Sequence, residues 1–383
     1  MRVLQISNYM YPNIGGIEQV ARDVANALSE CKEEIEQKII CFNETASDGD
    51  YKCYRKEDVT DFVDGVEVVR CGCFTKVASQ SLSLSYPRQL KVVMDKFSPD
   101  IVILHYPNPF VSAILKKYLK NNFKFILYWH LDITKQKLLG KLFHYQTLNL
   151  LKRADTVVAT SPNYIEGSPY LSRFKEKCTV IPNCIRPERL SVTPEIEKKA
   201  ELIREENKGK TICFAVGRHV PYKGMTYLVK ASKLLDDSFV VRIGGKGPLT
   251  EALVEEAKDD NKVVFLGRVS DEDLIANYLA CDIFCFPSIT KNEAFGISLA
   301  EGMYFGKPAV TFNIPGSGVN YVSIDQETGL EVPNGDVEKY AAAVKELSEN
   351  VEERNTYGIN ARRRVEGLFL YRRICFFIFD LAS

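Results

Sequence analysis

The chain has 383 residues, of which 45% are hydrophobic and 26% are charged. These proportions are typical of a soluble globular protein, and the length suits two domains better than one core. Lysine plus arginine and aspartate plus glutamate both number 50. The net charge therefore argues neither for nor against a polyanionic partner, and we expect no nucleic acid.

The sequence contains no apolar stretch long enough to span a bilayer, and its start leads directly into a strand-like run instead of a signal peptide. We therefore expect a cytoplasmic protein with at most peripheral membrane contact. Basic residues outnumber acidic ones in 101–190. This excess marks either a face for an anionic acceptor or an anionic inner membrane surface, or the ordinary solvated lysines of surface helices.

Eleven cysteines are scattered along the chain, most of them in apolar runs such as those around Cys41, Cys213 and Cys285. Disulfide frameworks belong to small secreted domains, so we expect reduced thiols in the core. Cys71 and Cys73 lack the two-residue spacer of a metal site.

Short apolar runs alternate with longer helix-like segments from end to end. Runs without polar alternation are typical of strands buried on both faces, so they predict parallel sheets covered by helices in doubly wound α/β folds. The expected strands are 3–7, 38–42, 101–105, 123–130, 156–159 and 179–182, followed by 211–216, 239–244, 262–267, 283–287 and 308–312.

The polar segment 186–210 divides these strands into two series and is expected to be a linker or a helical bridge. The sequence thus predicts a Rossmann-like domain over 1–185 and a second, nucleotide-binding one over 186–361. The stretch of about 362–383 is basic and then aromatic, and we expect a helix that packs back on the first domain.

Ligands of such sheets bind beyond the carboxyl ends of the strands. Gly15 and Gly16 follow the first strand and open a helix, where backbone amides and the helix dipole favour an anion. A simple tight turn is the alternative. In the second series, three successive strands end in glycine loops, at 217, 244–247 and 267, which together outline a nucleotide groove.

Arg218 and Lys223 lie in the loop that follows the strand 211–216. Two fixed cations at a strand end suit a diphosphate, which arginine can bind in a bidentate manner. The alternative is a pair of exposed loop charges.

A block with two glutamates eight residues apart is the most specific indication of a ligand-binding site in the sequence. Glu293 precedes an expected helix and Glu301 lies on it, so both carboxylates could meet separate hydroxyls of an extended ligand. The amides of Phe295, Gly296 and Ile297 would point at an anion or a sugar oxygen.

In their residues and their order along the chain, these motifs resemble family 4 of the retaining glycosyltransferases. The resemblance implies the GT-B fold, which has two facing Rossmann-like domains and a cleft between them. The resemblance covers nearly the whole chain. The matching pieces are Gly15-Gly16, Trp129-His130, Ile181-Pro182-Asn183, Gly217-Arg218, Lys223-Gly224, the run 244–249, and the block from Glu293 to Glu301.

The resemblance implies roles for individual residues. Arg218 and Lys223 would hold the donor diphosphate and stabilise the leaving group. Glu301 would accept hydrogen bonds from the ribose hydroxyls, and Glu293 with the amides after it would hold the transferred sugar. His130 would lie near the reacting face of that sugar; the alternative is a strand-end histidine beside a tryptophan.

The remaining donor-binding positions implied by the resemblance surround the phosphates and the base. Gly16 would face the phosphates across the cleft, and Arg268 to Asp271 would lie near the base. Asp271 could accept from guanine, which favours GDP-mannose, whereas Arg268 could stack on uracil, which favours a UDP-hexose. The full set is Gly15, Gly16, Gly245, Arg268, Val269, Asp271, Phe295, Gly296, Ile297 and Glu301.

Asp271 and Asp273 match the Asp-x-Asp signature of metal-dependent glycosyltransferases. Because Ser270 and Asp273 precede an apolar-periodic segment, we interpret the motif as a helix cap instead. With two cations available for the diphosphate, we expect neither a metal nor another cofactor.

The sequence therefore predicts a retaining, metal-independent hexosyltransferase. It would use GDP-mannose or a UDP-hexose and a glycan or lipid-linked acceptor, as in bacterial surface polysaccharide synthesis. Two alternatives stay open: a nucleotide-sugar epimerase of the same fold, and a non-catalytic module that binds nucleotide sugars.

Overall fold

The computed structural model describes residues 1–13, 15–30, 34–44, 55–77, 80–120, 122–133 and 140–372. The chain divides into two compact units. Unit 1 comprises Met1–Thr160, Ser168–Ile181 and the segment that starts at Tyr371; unit 2 comprises Ser161–Gly167 and Pro182–Leu370.

A mainly parallel sheet forms the centre of unit 1. The helices and strands of this unit are β1 (Arg2–Ile6), α1 (Gly16–Ser29), β2 (Glu36–Phe42), β3 (Val59–Val63), β4 (Val66–Cys71), β5 (Thr75–Val77), β6 (Gln80–Leu82), α2 (Tyr86–Phe97), β7 (Ile101–Tyr106), α3 (Pro109–Leu115), β8 (Lys124–Trp129), α4 (Gly140–Arg153), β9 (Thr156–Ala159) and β10 (Cys178–Val180). The strand order is β10-β9-β8-β7-β1-β2-β4-β3, with β3 antiparallel to β4.

A parallel sheet with helices around it also forms unit 2. Its elements are α5 (Pro162–Gly167), α6 (Pro194–Glu206), β11 (Thr211–Val216), α7 (Met225–Ser232), β12 (Phe239–Gly244), α8 (Thr250–Glu256), β13 (Val263–Gly267), α9 (Asp271–Ala280), β14 (Ile283–Phe286), α10 (Ile297–Tyr304), β15 (Ala309–Phe312), α11 (Val319–Val322), β16 (Gly329–Val332), α12 (Val337–Glu349) and α13 (Val351–Leu368). The strand order is β13-β12-β11-β14-β15-β16.

The order of the strands creates one reversal point in each sheet. In unit 2 the chain adds β12 and β13 on one side of β11 and then returns to place β14 on the other side. In unit 1 the corresponding reversal lies between β1 and β7. Ligands of open α/β sheets bind at such points, beyond the carboxyl ends of the strands.

The predicted strands are confirmed, and they pair in parallel register. Most of them are buried on both faces, as in β7, where every residue is buried, whereas β10 and β13 are only partly buried. The strands β3 to β6 and β16 were not predicted. β3 has only one buried residue, and β5 and β6 form a short two-stranded sheet of their own. None of these three strands gives a continuous apolar run in the sequence.

The cysteines within the described residues are free thiols, and all of them except Cys178 are buried, as expected for reduced core positions. Burial raises the pKa of the Cys41 thiol to about 12, so it stays protonated. Among the helices that the structure describes, none has the length and apolarity needed to cross a membrane.

The polar segment 186–210 is helical in part, one of the two predicted alternatives: it contains α6, which is capped by Thr193, buries Ile196 and Ala200 and belongs to unit 2. The expected helix over 362–383 differs in part from the structure. α13 ends at Leu368 and packs within unit 2, because Val365 and Phe369 belong to its core, whereas the chain from Tyr371 belongs to unit 1. Residues 373–383, with the aromatic end of the prediction, lie outside the described residues.

Candidate functional site

The loops that leave β11 and β14 are joined to each other. The two strands are parallel neighbours, so both loops start at the same edge of the sheet. The Ile289 amide donates to the Tyr222 carbonyl at 3.0 Å. Gly224 has a φ of 65°, and a Cβ there would lie 1.9 Å from the Pro287 carbonyl oxygen. Only glycine permits this approach, which fixes the loop that carries Arg218 and Lys223.

Lys223 and Glu293 form a largely buried ion pair between these loops. Lys223 Nζ lies 2.5 Å from Glu293 Oε2, with 15% and 11% of the two side chains exposed. The Ser288 hydroxyl donates to the same carboxylate oxygen at 3.1 Å, and Lys223 Nζ lies 5.3 Å from the centre of the Phe286 ring. Burial lowers the pKa of Lys223, but the charge of Glu293, the nearby Tyr222 and the hydrogen bond to Glu293 together outweigh burial and hold that pKa above its ordinary value.

Arg218 differs from Lys223 in its surroundings. Its side chain is exposed, and among the described residues it has no hydrogen-bond or ion-pair partner. Its positive charge acts on Lys223, whose pKa it lowers, so the two cations are neighbours. The alternative of two exposed loop charges is therefore wrong for Lys223 and remains open for Arg218.

The segment between Glu293 and α10 offers unoccupied backbone donors. Gly296, with a φ of 93°, is the N-cap of α10, and the buried Phe295 ring packs against Phe369 at 5.2 Å. Among the described residues, no acceptor bonds to the amides of Phe295, Gly296 and Ile297. Glu293 lies before α10 and not on it, so the helical-face argument for the two glutamates does not apply.

Glu301 lies on α10 and has a neutral partner. The Tyr278 hydroxyl lies 2.9 Å from Glu301 Oε2 and 3.2 Å from the Ser298 carbonyl oxygen. Burial raises the pKa of Glu301 to about 7; the negative charge of Asp271 acts in the same direction, whereas Tyr278 and Arg189 oppose it. Tyr278 and Arg189 were missed from sequence, since only the fold brings α9 and the segment before α6 to this carboxyl.

The glycine loop after β12 closely approaches the loop after β11. Gly245 has a φ of 115°, and a Cβ there would lie 2.0 Å from the Gly217 carbonyl oxygen. His219, which the sequence analysis gave no role, links the same loops: its amide donates to the Lys246 carbonyl at 3.2 Å, and its Nδ1 lies 2.9 Å from Thr250 Oγ1.

The residues predicted to surround the base lie at the end of β13. Arg268 and Asp271 are exposed, and Val269 is half-buried beside Gly244. Ser270 accepts from the Asp273 amide at 3.1 Å, so the predicted cap of α9 is confirmed.

Asp273, the second acid of the Asp-x-Asp sequence, is engaged within the protein. It bonds to Lys199 at 2.9 Å and accepts from the Ser270 hydroxyl at 2.7 Å. Within the described part of the chain, no cluster of three histidine, cysteine or acidic residues could hold a metal ion.

In unit 1, the predicted glycines and His130 follow β1 and β8. Gly15 is the N-cap of α1, and a Cβ on Gly16 would meet no atom within 4 Å, so the fold itself does not require glycine there. His130 is buried, and its Nε2 lies 3.0 Å from Nδ1 of His105. Burial holds the pKa of His130 well below its ordinary value.

Comparison with known proteins identifies the family. Residues 14–189 match the model of Glycosyltransferase Family 4, and residues 197–364 match that of Glycosyl transferases group 1. O-antigen chain mannosyltransferase C of Escherichia coli is 31% identical, with 96% of this chain and 94% of that protein covered. The chain belongs to family 4 of the glycosyltransferases.

Further relatives agree with a family 4 transferase of GT-B fold. D-rhamnosyltransferase WbpZ of Pseudomonas aeruginosa is 32% identical, with 96% of this chain and 92% of that protein covered. Sucrose-phosphate synthase of Thermosynechococcus elongatus aligns with a TM-score of 0.80 at 20% identity, over 100% of this chain and 98% of that chain. HepE of Anabaena, in complex with UDP and glucose, aligns with a TM-score of 0.75 at 18% identity, over 100% and 99%.

Gly245→Ala should destabilise unit 2 of this transferase by about 3 kcal/mol, because the added Cβ meets a backbone oxygen and the φ is strained. Gly367→Ala is the matched control: it lies in α13 with no atom within 4 Å of the new Cβ, and should gain about 0.5–1 kcal/mol. Calorimetric unfolding of both variants measures the difference. Equal stability of the two would contradict the close approach of the loops.

Glu301→Gln should be nearly as stable as the parent at about pH 4 and more stable, by about 1–3 kcal/mol, at about pH 8. The raised pKa means that the folded state holds this proton more tightly than the unfolded state. The parent therefore loses stability as the pH rises from 4.5 through about 7, and the amide does not. Thermal unfolding across this range checks it; a constant difference between the variants would contradict the raised pKa.

Proposed function

We propose that this family 4 transferase is a retaining, metal-independent hexosyltransferase. It transfers mannose or a related hexose from a GDP-sugar to a glycan of a bacterial surface polysaccharide, on a lipid-linked or growing chain. The buried Lys223–Glu293 pair at the reversal point of the unit 2 sheet carries the proposal, because it places a cation for phosphate beside a carboxylate for a sugar.

The names of the relatives support the choice of sugar. The two relatives that share 31% and 32% identity over 96% of this chain are named for mannosyl and D-rhamnosyl transfer. The exposed carboxylate of Asp271 is suited to accept hydrogen bonds from a guanine base, which donates from two adjacent nitrogens. A UDP-hexose is the second candidate donor; in that case we expect Arg268 to stack on the uracil base.

In the proposed pose, different parts of the donor contact different side chains of unit 2. The diphosphate lies between Arg218 and Lys223, whose charges stabilise the negative charge that grows on the leaving group. The transferred hexose lies against Glu293 and the three free amides that follow it. The ribose hydroxyls donate to Glu301, which must be ionised to accept both.

Retention is supported by the state of His130. Inversion requires a base that takes the acceptor proton on the face opposite the leaving group. The lowered pKa of His130 makes it a weak base, and its Nε2 is already bonded to His105. In the proposed front-face route, the departing phosphate oxygen takes that proton instead.

Metal independence is supported by the two neighbouring cations at the proposed diphosphate position. They supply the positive charge that a divalent ion would otherwise bring. The Asp273 carboxylate is bonded to Lys199 and to Ser270, the N-cap of α9, so it is already engaged within the protein.

A donor panel tests the function as a whole. The protein is incubated with GDP- and UDP-hexoses and a lipid-linked glycan acceptor, with and without EDTA, and the product linkage is assigned by NMR. We expect transfer from GDP-mannose or a related GDP-hexose that survives EDTA, with the anomeric configuration of the donor retained. Isomerised donor without transfer would support the epimerase, and donor binding alone the binding module; inversion or EDTA sensitivity would contradict the mechanism.

Arg218→Ala should lower kcat/KM by an amount equal to about 2–4 kcal/mol, the usual cost of losing one preorganised charge at a leaving group. The exposed Arg218 has no partner among the described residues, so its loss leaves no buried group unpaired. Arg363→Ala, which removes an exposed arginine from α13, is the matched control. Equal kinetics of the two variants in a steady-state assay would remove Arg218 from the site.

A further inference from the structure

A buried hydrogen-bonded chain runs diagonally across three strands of unit 1. Gln5 on β1 is paired with Ile103 on β7, and His105 on β7 is paired with Tyr128 on β8. Alternate residues of a strand share a face, so Gln5 and His105 lie on the same face of the sheet. The His130 amide donates to the Tyr106 carbonyl at 3.0 Å and so extends the parallel pattern by one residue beyond β8, with its ring on that face.

The three side chains are in direct contact. His105 Nε2 lies 2.9 Å from Gln5 Oε1, and His105 Nδ1 lies 3.0 Å from His130 Nε2. The two imidazoles are stacked, with 5.2 Å between centroids and 12° between planes, and both also stack on Tyr128. Gln5 and His105 are 1% and 0% exposed, whereas His130 keeps 5%.

The order of donors and acceptors along the chain follows from its first member. An amide oxygen only accepts, so Nε2 of His105 carries the hydrogen and Nδ1 of the same ring is a bare acceptor. That acceptor requires a hydrogen on Nε2 of His130. The remaining nitrogen of His130, Nδ1, is therefore also a bare acceptor, and among the described residues nothing bonds to it.

We propose that His105, backed by Gln5, is a positioning residue that fixes the Nε2–H tautomer of His130, so that Nδ1 accepts a hydrogen bond from a substrate hydroxyl. This inference rests on the proposed function, which supplies a substrate that carries hydroxyl groups. A single tautomer requires neutral imidazoles. Burial keeps both rings neutral, because it lowers the pKa of His105 to about 3 and holds that of His130 well below its ordinary value.

The tautomer decides what His130 does to a sugar. With Nδ1 bare, the ring accepts from a hydroxyl and orients it without removing its proton. With the hydrogen on Nδ1, the ring would be a donor, and its N–H hydrogen would point at the hydrogen of the hydroxyl. The same hydroxyl would then have to rotate and accept, so the sugar would be oriented differently.

Nitrogen NMR on the full chain reads the tautomer directly. Long-range correlation of imidazole carbon-bound protons with ring nitrogens in the ¹⁵N-labelled protein distinguishes protonated from bare nitrogens, and with four histidines each ring can be assigned by substitution. We expect hydrogen on Nε2 and a bare Nδ1 in both His105 and His130. Hydrogen on Nδ1 of His130 would mean that Gln5 presents its amide nitrogen, and would overturn the proposal.

Two substitutions separate positioning from packing. His105→Phe keeps a stacked ring but removes the acceptor, so His130 should lose its single tautomer and kcat should fall about tenfold or more with little change in donor KM. His105→Asn loses ring packing, but its Oδ1 can replace Nδ1 as acceptor, so tautomer and kcat should stay within about twofold of the parent. A purely structural role predicts the reverse order of the two variants.

Tyr106→Phe is the control, because it removes a buried hydrogen bond to Thr147 from the same strand without touching the chain. It should leave the His130 nitrogens and kcat unchanged. An Nε2–H tautomer that persists in His105→Phe, with unaltered kcat, would refute the proposal. A parent that transfers no hexose would contradict the proposed function, while the nitrogen shifts, which need no substrate, would still decide on the tautomer.

Discussion

The parallel pairing of β11 with β14 is the constraint on which the chemistry of unit 2 depends. These strands are far apart in sequence, but they are neighbours because the chain reverses direction across the sheet after β13. Their loops therefore leave the same edge together, and Gly224 allows the backbones to touch. Without that contact, Lys223 would lose its carboxylate partner and Glu293 would keep only the Ser288 hydroxyl; breaking a buried ion pair costs several kcal/mol.

The two glutamates of the motif show how the fold differentiates identical side chains. Glu293 is paired with a lysine and a hydroxyl, so its charge is compensated before any ligand arrives. Glu301 is half-buried and meets the neutral Tyr278 hydroxyl, and its pKa is raised to about 7. A ligand whose hydroxyls donate to Glu301 would favour the ionised form, so binding of such a ligand would release a proton at neutral pH.

The two units use different electrostatics for their candidate residues. Unit 2 collects charges, with two cations beside a carboxylate and a row of free backbone amides. Unit 1 presents the neutral chain that ends in His130, where burial suppresses charge and hydrogen bonds fix orientation. Unit 2 therefore offers charges to a ligand, whereas unit 1 offers a neutral imidazole.

The sequence by itself determined the fold class and most strands, because continuous apolar runs and glycine loops report local backbone requirements. The resemblance of its motifs indicated the family. It also singled out Lys223, Glu293 and Glu301 as chemistry-bearing residues. Only the tertiary structure decided that Lys223 is buried against Glu293, that Glu301 has Tyr278 as its partner, and that Gln5 and His105 lie behind His130. Such partners come from strands and helices brought together by the sheet order, and no local pattern encodes which of them will meet. The end of α13 and the packing of α6 on unit 2 were likewise decided by burial against the core of that unit, which the polar composition of those segments conceals.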